Sequence, residues 1–178
     1  MKHVIGPGVL LYCAMLLAAC TSQRPAAAVP PPDAIHFVAA SWGRPTIEWT
    51  IDRSGAGRYR YSERNGSSED GGFRLVTQRI KAGAAGFDTI RAILRPVERY
   101  VVLPCKKRIF DAPYGSISWR RADRPNTLNF DYGCLSKTAH AAFTQFNLAN
   151  RTIAEWAASA EIIETQDIKR TSPLPAPL

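Results

Sequence analysis

Histidine and cysteine are scarce in this chain, and the short motifs in which they do chemistry are absent. Three histidines occur in 178 residues, and the four cysteines include no Cys-x-x-Cys pair. No histidine lies at zinc-finger spacing from a cysteine, so neither a zinc site nor a thiol redox centre is indicated. The glycine clusters have neither a Walker lysine nor G-x-G-x-x-G spacing. The sequence therefore contains no recognisable nucleotide-binding motif.

The sequence also lacks a convincing nucleophile with its base. His36 lies in a predicted strand, and His140 lies four residues after Ser136, where serine is better explained as a helix N-cap. A hydrolase could instead use Asp111 and Asp131, because both lie near the second predicted hairpin. The sequence leaves open whether these two carboxylates converge. We predict no catalytic residue, no metal ligand and no cofactor, and we favour a non-enzymatic role while leaving the question of an enzyme open.

The one long apolar run is at the N-terminus. Lys2 and His3 give a positive start, and residues 4–17 are apolar apart from a Gly-Pro-Gly break. This run is too short to span a bilayer as a stable helix. It closes on Leu17-Ala18-Ala19-Cys20, with leucine three residues before the cysteine and alanines between them. The pattern resembles the lipobox of bacterial lipoproteins, and the resemblance covers about the first tenth of the chain.

The resemblance implies removal of residues 1–19 as a signal peptide, diacylation of the Cys20 thiol and acylation of its freed amine. Three acyl chains, at about 0.8 kcal/mol per buried methylene, would hold the protein firmly at a membrane. Thr21 stands where aspartate would favour the inner membrane, so the resemblance favours the outer membrane with the domain facing the periplasm. An ordinary secretory signal cut near Ala19, with Cys20 free, is the alternative.

The remaining chain has the length of one domain with proline-rich ends. Residues 20–33 predict an extended tether, residues 34–168 a single domain and residues 169–178 a disordered tail. Two cysteines are left once Cys13 and Cys20 are accounted for. In an oxidising compartment Cys105 and Cys134 are predicted to form one structural disulfide, with a redox pair as the alternative.

Alternation and helical spacing predict the fold class. Residues 46–52 and 58–64 alternate as a hairpin, with Glu48 and Asp52 placed to pair with the arginines of the facing strand. Helical spacing predicts one helix ended by Pro96, and then two short helices or one bent helix over residues 139–160. We predict an α+β domain with a mostly antiparallel sheet of about five strands, in the order β-β-β-α-β-β-α, and with helices packed on one face.

The mature chain is basic. Without Lys2, 22 basic residues stand against 15 acidic ones, which gives a net charge of +7. In the envelope this excess favours an anionic component such as lipid headgroups, cell-wall carboxylates or acidic polysaccharide, and not nucleic acid. Six basic side chains make a candidate anion-binding patch, with ordinary solvated charge as the alternative. They are Lys106, Lys107, Arg108, Arg120, Arg121 and Arg124.

These observations predict a lipid-anchored envelope protein, most simply a non-enzymatic binding or structural module facing the periplasm. Its partners would be the membrane, through the anchor, and an anionic envelope component or another envelope protein. An inhibitor of an envelope-attacking enzyme, such as lysozyme or a protease, is the first alternative. A periplasmic hydrolase is the second.

Overall fold

The computed structural model describes residues 30–64, 72–122 and 125–169. The predicted signal peptide, Cys20, most of the tether, the C-terminal tail and Arg124 lie outside the described residues. Within them the chain forms seven strands and two helices, an α+β architecture as predicted. The elements are β1 (Ala34–Ser41), β2 (Arg44–Asp52), β3 (Ala56–Arg64), β4 (Phe73–Lys81), α1 (Gly83–Leu94), β5 (Tyr114–Arg120), β6 (Asn126–Asp131), α2 (Lys137–Ala157) and β7 (Ile162–Ile168).

The strands form one antiparallel sheet in the order β6-β5-β1-β2-β3-β4-β7. The predicted count of about five strands is too low. Four strands precede α1 where the predicted order has three, and β7 follows α2. β7 is an edge strand whose side chains are mostly exposed, so it lacks the apolar alternation by which a half-buried strand is recognised.

Both helices follow from their buried positions. α1 buries Phe87, Ile90 and Leu94 at helical spacing and ends just before Pro96, which cannot continue a helix. α2 is one helix of 21 residues and not two short ones. Its N-cap is Ser136, as expected, because the serine Oγ accepts the backbone N–H of Ala139 at 3.1 Å.

The core lies on one face of the sheet, where alternate side chains of the strands pack in one cluster with side chains of both helices. Phe37 of β1 stacks on Trp49 of β2 and on Phe130 of β6. Trp49 is fully buried, and its indole N–H donates to Asn150 Oδ1 of α2 at 2.7 Å. The asparagine that weakens the apolar stripe of α2 in the sequence therefore satisfies a buried donor of the sheet.

The other face of the sheet carries a row of charged and polar side chains beside a smaller buried apolar cluster, which consists of Phe73, Leu75 and Ile168. Glu48 Oε2 accepts from Arg60 Nη1 at 3.2 Å, Glu48 Oε1 lies 3.1 Å from His36 Nε2, and Arg60 Nε donates to Thr77 Oγ1 at 3.2 Å. The predicted cross-strand pairing of Glu48 with an arginine is confirmed. The prediction for Asp52 is wrong, because its Oδ1 accepts the Ser54 hydroxyl and backbone N–H in the next turn.

The Cys105–Cys134 disulfide is present, with the two Cα atoms 5.5 Å apart. It joins the loop before β5, residues 101–113, to the end of the β5–β6 hairpin. The backbone of this loop makes isolated bridges with Asn129 and Cys134, so it lies along the outer edge of β6. No helix in the described ranges is long and apolar enough to cross a membrane.

A candidate binding cleft at one end of the sheet

A cleft of about 260 Å³ opens where three parts of the fold meet. These parts are the β1–β2 turn, the loop of residues 101–113 and the junction of β5 with β6. Tyr114 pairs with Ala40 of β1 on one side and with Asp131 of β6 on the other, which brings the parts together. We call this site the Trp42 cleft. Its lining residues are Trp42, Arg108, Ile109, Phe110, Asp111, Ala112, Tyr114 and Asp131.

Trp42 occupies an unusual position for a bulky side chain. It is the first residue of a two-residue turn, because Ser41 pairs with Arg44 across the hairpin. Trp42 has φ 52° and Gly43 has φ 74°, and positive φ at both positions is the requirement of a type I′ turn. Asn, Asp or Gly is preferred at the first position, and for other L-residues this conformation costs about 1–2 kcal/mol. The indole is nevertheless 74% exposed, so core packing does not explain it.

Asp111 also has a backbone conformation with positive φ. Its φ is 63°, and among the described residues Trp42 and Asp111 are the two non-glycine residues with positive φ. The Asp111 carboxylate is exposed and makes no hydrogen bond or ion pair with another described residue. Aspartate tolerates this conformation, so the strained position is that of Trp42. Backbone strain concentrates at sites of function, which is our reason to treat the cleft that Trp42 lines as functional.

The edge of the Trp42 cleft is apolar. Phe110 is 87% exposed, and Ile109 and Tyr114 are also exposed. Single exposed apolar side chains are ordinary on a protein surface, but a group of four around one concavity marks an interaction site. This group was not predictable from the sequence, because its members come from two segments that are far apart in the chain, residue 42 and residues 109–114. The available signal was a tryptophan directly before the glycine of a hairpin turn.

The floor of the cleft is held by an ion pair. Arg108 Nε lies 3.1 Å from Asp131 Oδ2, and Asp131 Oδ1 accepts the backbone N–H of Gly133 at 2.7 Å. Gly133 is required at its position, because a Cβ there would collide with the carbonyl oxygen of Ile109. The loop is thus tied to β6 beside the cleft by a backbone contact and by a charged one.

A second cleft, of about 290 Å³, adjoins the first. The two share Arg108 and Asp131, so the ion pair stands between them. The second cleft is mostly apolar and includes Val102, which is exposed, and the disulfide. Together the clefts form an elongated site along the end of β6.

The carboxylates singled out in the sequence, Asp111 and Asp131, do line one cleft. Neither His36 nor His140 lines this cleft. His36 lies on the polar sheet face beside Glu48, and His140 lies in the first turn of α2 with its ring centroid 6.1 Å from that of Phe143. Within the described ranges there is no group of three or more His, Cys, Asp or Glu side chains that could hold a metal ion.

The six basic residues of the candidate patch are not brought to one place. Lys106, Lys107 and Arg108 lie beside the two clefts, at the start of β5. Arg120 and Arg121 lie at its other end, about 20 Å away by strand geometry, and Arg121 pairs with Glu98. Arg124 lies outside the described residues.

Tyr132, just after β6, is partly buried against the core near this end of the sheet. Burial raises the pKa of Tyr132 to about 12, and its ring centroid lies 4.7 Å from that of Phe143. Tyr132 is therefore a neutral packing side chain at physiological pH and not an acid or a base of the cleft.

No protein family, curated protein or solved structure matches this chain. The chemistry of the Trp42 cleft is therefore argued from its own residues.

Proposed function

We propose that this chain is a lipid-anchored envelope protein that works as a non-enzymatic binding module in the periplasm, and that the Trp42 cleft is its binding site. The observation that carries the binding role is the indole of Trp42, which is 74% exposed although it occupies a turn position that disfavours it. Neither turn chemistry nor core packing accounts for tryptophan there, whereas contact with a ligand does.

The composition of the cleft supports binding. Tryptophan, tyrosine and arginine are the residues most enriched where binding energy concentrates. Ligand clefts combine an apolar lining with a few polar groups that fix orientation, and Arg108, Asp111 and Asp131 are such groups.

The position of the cleft also fits an anchored module. The domain begins at Ala34, which pairs with Asp52 and Arg120, and Arg53 fixes this start through an ion pair with Asp33 at 2.8 Å. The β1–β2 turn is at the opposite end of β1, and a strand of eight residues spans about 25 Å. The Trp42 cleft therefore lies at the end of β1 opposite to the point where the chain enters the domain.

Two experiments test the two parts of this proposal. Metabolic labelling with palmitate should mark the wild-type protein and should leave Cys20→Ser unmarked. An unlabelled wild type, recovered uncleaved from the soluble fraction, would refute the anchor.

The binding site is tested by photo-crosslinking in intact cells. A photoreactive residue in place of Phe110 should give a defined adduct, and the same residue in place of Ile162, an exposed position on the far edge strand, should not. Equal or absent adducts from both positions would refute the site.

A periplasmic hydrolase is the second candidate, because Asp111 and Asp131 line the same cleft. Both Asp131 oxygens are engaged, one by Arg108 and one by the Gly133 backbone, which suits a structural role better than proton transfer. Release of new reducing ends from purified cell wall, lost in Asp111→Asn, would favour the hydrolase over the binding module.

A further inference from the structure

We infer that the ligand of the Trp42 cleft is a polysaccharide, bound as a chain whose consecutive sugar units occupy the two adjoining clefts. This inference rests on the proposed binding function and names the chemical class of its ligand. It follows from the kinds of groups exposed, from the size and arrangement of the clefts, and from the charge beside them.

The exposed rings suit the apolar faces of sugars. A pyranose ring presents C–H groups on its faces and hydroxyl groups at its edge. Aromatic rings have a negative face that attracts such C–H groups, while the ring edges stay in contact with water. Trp42, Phe110 and Tyr114 supply three exposed aromatic rings around one concavity.

The polar groups suit the hydroxyl edge of a sugar. Asp111 makes no bond to another described residue, so both of its oxygens can accept hydrogen bonds from hydroxyls. Arg108 uses Nε toward Asp131, which leaves the terminal N–H groups of the guanidinium to donate to hydroxyl, carbonyl or carboxylate oxygens. Each hydroxyl of a sugar can both donate and accept a hydrogen bond, so a hydroxyl-rich ligand can bind the Asp111 oxygens and the Arg108 N–H groups together.

The dimensions suit a chain. Pockets for drug-sized ligands run from roughly 300 to 1,000 Å³. The Trp42 cleft, at about 260 Å³, is smaller and is suited to about one sugar unit. The second cleft, at about 290 Å³, gives the next unit a place beyond the Arg108–Asp131 ion pair.

The charge around the clefts and their shape favour an acidic polysaccharide over a lipid surface. Lys106 and Lys107 are exposed beside the second cleft and would attract carboxylates of the polymer. A membrane surface is disfavoured, because the exposed rings line a concave cleft, which a flat headgroup surface would not fill. A protein partner is disfavoured too, since a stable interface covers roughly 800 Å² on each side, whereas each cleft has room for about one small chemical unit.

Trp42 allows binding to be separated from folding. Asparagine is preferred at the first position of a type I′ turn, so Trp42→Asn should leave the thermal midpoint unchanged or raise it. The same change should weaken polysaccharide binding at least tenfold. If Trp42 had a merely structural role, its replacement would lower the stability of the protein and its binding together.

The experiment uses the full chain in detergent micelles. Its affinity is measured for purified peptidoglycan by co-sedimentation, for a β-1,4-linked N-acetylglucosamine tetramer by calorimetry, and for alginate as an acidic polymer. The variants are Trp42→Asn and Phe110→Ser, with Ile162→Asn as the matched loss of an exposed apolar side chain elsewhere. We expect the wild type and Ile162→Asn to bind at least one of these polymers alike, and both cleft variants to bind at least tenfold more weakly.

A double variant, Lys106→Gln with Lys107→Gln, distinguishes an acidic polysaccharide ligand from a neutral one. The double variant should lose affinity for alginate or peptidoglycan at low salt and keep its affinity for the neutral tetramer. Equal losses for all three probes would overturn the role given to these lysines.

Other outcomes overturn the inference while leaving the proposed function standing. If the wild type sediments with none of the polymers and the Phe110 photoprobe yields a protein adduct in cells, the module binds protein. Binding to anionic vesicles that is lost in Trp42→Asn would instead identify a membrane-docking surface. Polysaccharide binding undiminished by Trp42→Asn, in contrast, would also refute the Trp42 cleft as the binding site of the proposed function.

Discussion

At the scale of single residues, Trp49 and Trp119 make a matched pair. Both are fully buried on the helix-facing side of the sheet. The Trp49 indole N–H donates to Asn150, whereas the Trp119 indole N–H has no hydrogen-bond partner among the residues that the structure describes. A buried unpaired donor costs about 1–3 kcal/mol, so replacement by phenylalanine removes a penalty at Trp119 and creates one at Asn150.

We therefore expect Trp49→Phe to lower the free energy of unfolding by about 1–3 kcal/mol more than Trp119→Phe does. Urea denaturation of both variants measures the difference. Equal losses would show that the Trp119 indole is satisfied in solution, for instance by a bound water.

Tyr132 gives a pH dependence with a definite sign. Burial raises its pKa to about 12, while tyrosine in an unfolded chain ionises near about pH 10. The folded state holds the proton more tightly, so the stability contributed by this phenol is complete below about pH 10 and is lost as the pH rises through about 12. The free energy of unfolding should fall over that interval.

The fall should be smaller in Tyr132→Phe, which has no proton to lose. Urea unfolding at several alkaline pH values, with tyrosinate absorbance as the titration signal, makes the comparison. Burial also raises the pKa of Tyr59, so Tyr59→Phe is measured alongside. Identical alkaline losses in wild type and Tyr132→Phe would contradict the assignment.

Residues whose role is local were predictable from the sequence. Ser136 caps α2 because serine precedes an apolar helical pattern, and Cys105 bonds to Cys134 because no other cysteine of the mature domain competes. The role of Trp42 was not predictable in the same way. It depends on the register of the hairpin, which decides whether residue 42 ends a strand or begins the turn.

At the scale of elements, the loop of residues 101–113 depends on its disulfide. Cys105 and Cys134 are 29 residues apart, and closing a loop of that size stabilises a fold by about 3–4 kcal/mol in the chain-entropy account. Cys105→Ala with Cys134→Ala should lower the free energy of unfolding by that amount in urea. A loss below about 1 kcal/mol would show that the backbone bonds to Gly133 and Leu135 already fix the loop.

Strands and helices were predictable where burial is one-sided. β2 and β3 alternate because one face packs on the helices, and α1 shows its apolar stripe for the same reason. β7 has no such contrast, since nearly all of its side chains are exposed at the edge of the sheet. The asparagines of α2 led us to expect two short helices or a bend. One of them, Asn150, instead faces inward and accepts the Trp49 indole N–H.

At the scale of the whole molecule, the site depends on a pairing that no local pattern indicates. β1 pairs with β5 across a long stretch of chain, which places Tyr114 and the following hairpin beside the β1–β2 turn. Sequence alternation predicts each hairpin but not which hairpins adjoin. The grouping of Trp42 with Phe110 and Asp131 follows from this one non-local pairing.

The same topology places the start of the domain and the Trp42 cleft at opposite ends of β1, about 25 Å apart. If the proline-rich tether predicted for residues 20–33 is extended, its length sets how far the cleft can reach from the membrane, at about 3 Å per residue. Deleting residues 22–29 should shorten that reach by about 25 Å without touching the folded domain.

We expect the deleted form to bind polysaccharide normally in micelles and to give far fewer Phe110 photo-adducts in intact cells. A form with the same eight positions scrambled keeps the length and should restore the adducts, because reach and not a specific sequence is what the tether supplies. Adducts that persist undiminished after the deletion would mean that the ligand lies at the membrane surface itself. The length of the tether would then have no bearing on which ligand the cleft can reach.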